Sequence, residues 1–203
     1  MKIGLILLAA GAGRRFGSDK LSAILAERAL YEHAVDCYAE FDFVRKVIVT
    51  GNPRIRDYAV AAGFVPVLNE QPEVGIARSI HLGMAALSDV RPDGILFAVS
   101  DQPAVSKDSV RRLLAAFCAA KDGRANAALT MGDVVGNPTV IGAAYFDELA
   151  ALTGDCGGKR IIMKYPDRLI RVPVADKREL RDVDRPADLL QFNDGADTKG
   201  CGW

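Results

Sequence analysis

Residues 3–20 read Ile3-Gly4-Leu5-Ile6-Leu7-Leu8-Ala9-Ala10-Gly11-Ala12-Gly13-Arg14-Arg15-Phe16-Gly17-Ser18-Asp19-Lys20. The opening half, Ile3–Ala9, is a near-continuous apolar run, as expected of a strand whose sheet is covered on both faces. The second half is a loop holding Gly11, Gly13 and Gly17 with the cations Arg15 and Lys20. Glycines let the backbone turn tightly and aim N–H groups at an anion, and the two cations add charged donors. Such a loop after a buried strand predicts a polyphosphate cradle. A P-loop is excluded, because Lys20 is followed by Leu21 and not by Ser or Thr. The dinucleotide fingerprint GxGxxG fits except that its third glycine comes one residue late. The next strand ends Val49-Thr50-Gly51, without an acid to hold a ribose. A dehydrogenase is therefore the rival reading from another class.

Beyond the loop, apolar β-branched runs alternate with helical stretches. Strands are predicted at Val44–Val49, Phe64–Leu68 and Gly94–Val99. Helices are predicted around Leu30–Glu40, Arg54–Ala62, Ala77–Leu87 and Lys107–Ala120. Gly63 marks a helix end and Ser106 a helix start. This repeated β-α-β rhythm implies an α/β fold, a mostly parallel sheet with helices on both faces. Later the pattern loosens. Strands are expected at Ala125–Met131 and Thr139–Ile141 around a Gly132–Pro138 turn. Helices near Ala144–Leu152 and Lys159–Tyr165 and a strand at Leu169–Val174 follow. A short helix begins at Pro186. One domain over residues 1–192 and a polar tail over 193–203 are expected.

Composition narrows the chemistry. With 26 basic and 26 acidic residues the 203-residue chain has no global field for nucleic acid. No apolar run reaches the ~18–20 residues of a membrane span, and Ile3–Ala10 is too short for a signal core. A soluble, cytoplasmic protein is expected, with no nucleic-acid or membrane partner. Cys37, Cys118, Cys156 and Cys201 form no CxxC pair, and His33 and His81 stand apart, so neither structural zinc nor a disulfide scaffold is expected.

In an open parallel sheet, ligands gather beyond the carboxyl ends of the strands. Ser100-Asp101-Gln102-Pro103 lies there, just after an apolar strand. A lone carboxylate facing a triphosphate loop suits Mg²⁺, a hard ion that takes one or two carboxylates, phosphate oxygens and water. Asp184, before the proline-initiated helix, is the candidate second carboxylate, with a helix N-cap as its plainer role.

Six ordered motifs resemble those of the MobA-like nucleotidyltransferases, and of their molybdenum cofactor cytidylyltransferase branch. Leu8–Lys20 is similar to LAAG-x-S-x-R-[MF]-G-x-x-K, with Gly13 at the serine position. Asn69 with Gly75-Ile76-Ala77-Arg78-Ser79 resembles a nucleoside-contacting segment, and Asp101-Gln102-Pro103 a metal element. Gly136-Asn137-Pro138, Gly154-Asp155-Cys156-Gly157-Gly158-Lys159-Arg160 and Asp182-Val183-Asp184-Arg185-Pro186-Ala187-Asp188-Leu189 resemble motifs of the branch. The resemblance implies a Rossmann-like fold of the nucleotide-diphospho-sugar transferase type. It implies CMP transfer from CTP to a molybdopterin-type acceptor, with Mg²⁺ and release of pyrophosphate. Arg15 and Lys20 are then the catalytic, triphosphate-holding residues. Ala9, Ala10, Gly11, Gly13, Asn69 and Ser79 bind the nucleotide, Asp101 and Asp184 the metal, and Asn137, Pro138 and Asp155 the acceptor. The partners implied are a small phosphorylated acceptor and a molybdenum hydroxylase or its maturation factor. Guanylyl transfer to the same pterin, transfer to a sugar phosphate or methylerythritol phosphate, and a non-catalytic cofactor-delivery protein are the alternatives.

Overall fold

A computed structural model describes residues 1–11, 16 and 19–193. In chain order it places β1 (Ile3–Leu8), β2 (Ile24–Leu25), β3 (Arg28–Ala29), α1 (Leu30–Ala39), β4 (Lys46–Thr50), α2 (Pro53–Ala61), β5 (Val65–Leu68) and α3 (Ile76–Ala85). These are followed by β6 (Gly94–Val99), α4 (Lys107–Ala120), β7 (Asn126–Met131), β8 (Val134–Gly142), α5 (Phe146–Ala150), α6 (Lys159–Lys164), β9 (Leu169–Pro173) and α7 (Leu190–Asn193). Among the described residues seven strands form one sheet in the order β5-β4-β1-β6-β8-β7-β9. The β5-β4-β1-β6 half is parallel throughout, as is the β7–β9 pair, while β8 runs antiparallel to both β6 and β7.

The apolar run of β1 serves two cores, because successive side chains on a strand point to opposite faces. Leu5 and Leu7 join residues of α1, α2 and α4, including Tyr38, Ile55 and Phe117, on one face. Ile6 joins Ile80 of α3, Leu149 of α5 and Ile161 of α6 on the other. Each of these β1 side chains is fully buried, which is worth roughly 1.5–3 kcal/mol apiece. Both faces are covered, as the sequence implies. Local signals hold as well. Gly63 closes α2 at φ +83°, and the Ser106 Oγ accepts from the Ser109 amide at the start of α4. The two histidines are structural, their Nε2 atoms meeting the carbonyls of Leu25 (His33) and Leu149 (His81).

Two expectations are corrected, and one element is new. The turn expected over Gly132–Pro138 shrinks to Gly132-Asp133, since β8 begins at Val134 and carries the Gly-Asn-Pro sequence within the strand. It tolerates the proline because the β7–β8 register breaks there, from Ala128↔Thr139 to Thr130↔Val135, and leaves residues 136–138 opposite Leu129 alone. The helix expected over Ala144–Leu152 is a single 3-10 turn, Ala143–Tyr145, leading into the short α5. Between loop and α1 the chain makes an unexpected hairpin, β2–β3, whose turn residues Ala26 and Glu27 both have positive φ. Its Leu25 packs with Leu30, Val183 and Phe192, so the C-terminal segment closes over the hairpin.

Candidate active site

From β1 the chain moves outward to β4 and β5, then crosses back to β6 on the other side of β1. That reversal opens a crevice at the carboxyl ends of β1 and β6, where open α/β sheets bind ligands. The strand ends are locked together. The Ser100 amide donates to the Leu8 carbonyl at 3.0 Å, and the Ala9 amide to the Val49 carbonyl at 2.9 Å. Over this crevice lies a cavity of about 530 Å³. Ala10 and Gly11 line it after β1, Lys20 and Leu21 at the far end of the glycine loop, and Ser100 and Asp101 after β6. Glu73, Gly75, Ile76 and Ser79 line it at the start of α3, with Asp155 and Asp184 closing its rim.

Lys20 is the hub. Its Nζ donates to Asp101 Oδ2 at 2.7 Å and to Asp184 Oδ1 at 2.9 Å. Burial works against the ammonium, but the charges and hydrogen bonds of Asp101 and then Asp184 outweigh it. The net effect raises the Lys20 pKa above the ordinary lysine value. The Lys20 side chain is 13% exposed, Asp101 23% and Asp184 52%, so the pair with Asp101 is the better shielded. Asp101 Oδ1 and Ser100 Oγ are buried without a hydrogen-bond partner among the described residues. An orphaned carboxylate oxygen of this kind is costly unless a donor or a cation meets it. A second carboxylate beside it gives the sparse oxygen set that Mg²⁺ takes when substrate phosphates and water complete its shell. The residues therefore fit a divalent cation at Asp101 and Asp184. Asp184 is not the N-cap of the helical turn that follows. The Asp188 carboxylate accepts from the amides of Asp184 and Arg185 instead.

Gly75 shapes the floor at φ +115°, and a Cβ on it would overlap the Gly154 carbonyl. That carbonyl accepts from the Ala77 amide at 3.1 Å, which brings Asp155 to the first turn of α3. Ser79 faces the cavity, while Asn69 stands behind it, almost fully buried, and donates from Nδ2 to Ser79 Oγ at 2.9 Å. The Asn69 Oδ1 accepts from the Gln71 amide and from Arg78. Asn69 thus supports Ser79 and does not line the cavity.

Of the residues expected from the sequence, Ala10, Gly11, Lys20, Ser79, Asp101, Asp155 and Asp184 share this one cavity. Ala9 is buried beneath it, its amide already engaged. Asn137 and Pro138 sit outside its lining. Since β8 is antiparallel to β6 and pairs Thr139 with Phe97, they lie toward the end of β6 that carries Asp101. Gly13 and Arg15 lie outside the described residues. Pro72 and Glu73 also line the cavity, from a 3-10 turn over Pro72–Val74 where a plain loop is expected. Asp182 stands in a matched motif with no role of its own there; in the structure its Oδ1 accepts from Gln102 Nε2 at 2.7 Å. Among the described residues no helix is long and apolar enough to cross a membrane.

Comparison with known proteins follows the same lines. A bifunctional GlmU protein from Rhizorhabdus wittichii is 33% identical over 112 residues, 54% of this chain and 25% of that protein. A bifunctional IspD/IspF enzyme from Rhodospirillum rubrum is 33% identical over 121 residues, 57% of this chain and 32% of that one. The chain thus spans a quarter to a third of the length of these curated relatives. A nucleotidyl transferase from Methanothermobacter thermautotrophicus superposes with a TM-score of 0.77 at 25% identity, covering 95% of this chain and 96% of its own. Rv0371c of Mycobacterium tuberculosis H37Rv, solved with manganese, gives 0.73 at 22% identity over 96% and 100% of the two chains. A CMP:2-keto-3-deoxy-manno-octonic acid synthetase complexed with CTP gives 0.71 at 13% identity over 96% and 98%. The last two likenesses concern the fold alone. The profile of the MobA-like NTP transferase domain covers residues 5–169, and the chain belongs to that family.

Proposed function

We propose that this protein transfers CMP from CTP to the phosphate of a molybdopterin-type cofactor and releases pyrophosphate. The observation that carries the reading is Lys20 joined to both Asp101 and Asp184 within a cavity that also receives Gly11 and Ser79. An oxygen of the acceptor phosphate attacks the α-phosphorus in line. The new P–O bond forms as the bond to the bridging oxygen of the β-phosphate breaks, and pyrophosphate carries away that electron pair. The attacking phosphate is already anionic, so no protein nucleophile is needed. The site's task is alignment and charge neutralisation.

Ala10 and Gly11 hold the cytosine end through their backbone, with Ala9 beneath them. Ser79, braced by Asn69, fixes the nucleoside. Lys20 neutralises the triphosphate, a role that Arg15 and Gly13 share by their positions in the motif. Asp101 and Asp184 hold Mg²⁺, which when bound shields the phosphates against the incoming anion. Asp155, from the rim, and Asn137 with Pro138, from the β8 bulge, receive the acceptor. The handover of product to a molybdenum hydroxylase or its maturation factor belongs to this proposal. A manganese complex and a CTP complex of proteins with the same fold are in keeping with a divalent ion and a nucleoside triphosphate as ligands of this fold.

A pyrophosphate-release screen over the four NTPs, with molybdopterin carrying molybdenum as acceptor, tests the reading. Release with CTP and acceptor together is expected. Release only with GTP, or only with a sugar phosphate or methylerythritol phosphate as acceptor, replaces the substrate assignment. Binding of cofactor without any release identifies a delivery protein instead.

A further inference from the structure

The two candidate metal carboxylates come from distant parts of the chain, and their separation must be set by something other than the sheet. The segment 179–184 lies along the Asp101–Ser106 loop. The almost fully buried Glu179 accepts from the Ser106 amide at 3.0 Å. The Val183 amide donates to the Asp101 carbonyl at 2.9 Å, and Val183 itself is fully buried. Between these anchors, Gln102 is 5% exposed, and its Nε2 donates to Asp182 Oδ1 at 2.7 Å, with the Leu180 carbonyl at 3.5 Å. Gln102 follows one metal carboxylate in the chain, and Asp182 precedes the other by two positions. Leu180 of the same segment packs against Gly136, beside Asn137 and Pro138.

We infer that Gln102 and Asp182 are positioning residues: their hydrogen bond fixes the spacing of Asp101 and Asp184 and so sets the affinity for the divalent cation. The inference rests on the reading of those two carboxylates as metal ligands. The bond ties the loop after β6 to the C-terminal segment at a point next to each carboxylate, and nothing in the reaction requires either side chain to touch substrate. Groups that orient metal ligands typically govern affinity by 10- to 100-fold.

Mn²⁺ binding in the presence of CTP, followed by electron paramagnetic resonance on the full chain, tests this without any turnover. Asp182→Ala is expected to weaken Mn²⁺ by roughly tenfold or more. Asp182→Asn keeps an oxygen for Gln102 while losing the charge, and is expected to stay within about threefold of the wild type, a range small beside the 10- to 100-fold of a lost orienting contact. Gln102→Met, which keeps length but not donors, should match Asp182→Ala, and the double variant Gln102→Met/Asp182→Ala should be no worse than either alone, since both remove one contact. Equal weakening by Asp182→Asn and Asp182→Ala would make charge the cause and overturn positioning. So would wild-type affinity in Gln102→Met, which also serves if Asp182→Ala fails to fold. Wild-type protein that takes up no Mn²⁺ with CTP contradicts the metal reading itself, an outcome distinct from the others.

Discussion

Lys20 and Asp101 lie 81 positions apart in the chain, yet Lys20 Nζ stands 2.7 Å from Asp101 Oδ2. The contact joins the loop after the first strand to the loop after β6, across the point where strand order reverses. The ammonium holds both candidate metal carboxylates, so a cation and a nucleotide must each engage a group that Lys20 already touches. Nucleotide phosphates compete for the ammonium, and a metal competes with it for the carboxylates.

Replacing Lys20 by Met is expected to lower kcat/KM by roughly 100- to 1,000-fold, the usual cost of one donor to developing charge. The same variant should bind Mn²⁺ in the absence of nucleotide more tightly than the wild type, because the competing ammonium is gone. Steady-state kinetics and metal titration check the two halves. Turnover close to wild type at saturating CTP and Mg²⁺ contradicts the assignment.

Gly75→Ala is expected to destabilise the fold by about 1–3 kcal/mol or more, the cost of a strained backbone. An alanine at φ +115° is strained, and its Cβ would overlap Gly154. Thermal unfolding gives the stability change. Nucleotide affinity should fall with it, since the Ala77–Gly154 bond and Asp155 shift together. An unchanged melting temperature rejects the close-approach argument.

The hairpin turn makes the opposite prediction. Ala26 and Glu27 sit at φ +47° and +67°, in a two-residue loop whose geometry favours Asn-Gly. Ala26→Asn with Glu27→Gly should stabilise the protein by roughly 1 kcal/mol, because each left-handed residue costs about 1–2 kcal/mol and the greater chain entropy that glycine loses on folding offsets only part of the strain relieved. Chemical denaturation measures it, and a loss of stability refutes the turn assignment.

Burial pushes the Cys37 thiol up from its ordinary 9.0 to about 12. The unfolded thiol ionises first, so the native state binds this proton more tightly. The stability this gives is complete below pH 9.0 and is lost as pH rises toward 12. Cys37→Ala should therefore flatten the fall of unfolding free energy between about pH 9 and 10, a slope of at most ~1.4 kcal/mol per pH unit. An identical slope in both proteins contradicts the shift.

The architecture was legible where hydrophobic burial dictates it. Ile3–Leu8 and Gly94–Val99 are apolar on both faces because helices cover both, and Gly63 and Ser106 end and start helices for local reasons. Lys20, Asp101 and Asp184 could be placed together because parallel strands bring the loops after them to one edge. The β2–β3 hairpin escaped because its strands are too short for a period and its turn lacks the usual glycine. Only the second half of β8, Thr139–Ile141, was legible; its first half escaped because Gly136 and Pro138 read as a turn, whereas a bulge absorbs them. Asn69 and Gln102 were visible as motif members, but their bracing of Ser79 and Asp182 depends on long-range packing that no spacing encodes.

Diffraction from crystals grown with CTP and Mn²⁺, collected at the manganese edge, tests the central claim most directly. The account predicts an anomalous peak between Asp101 and Asp184, with the triphosphate drawing Lys20 toward it. Manganese elsewhere, or a nucleotide bound away from the β1–β6 crevice, contradicts it.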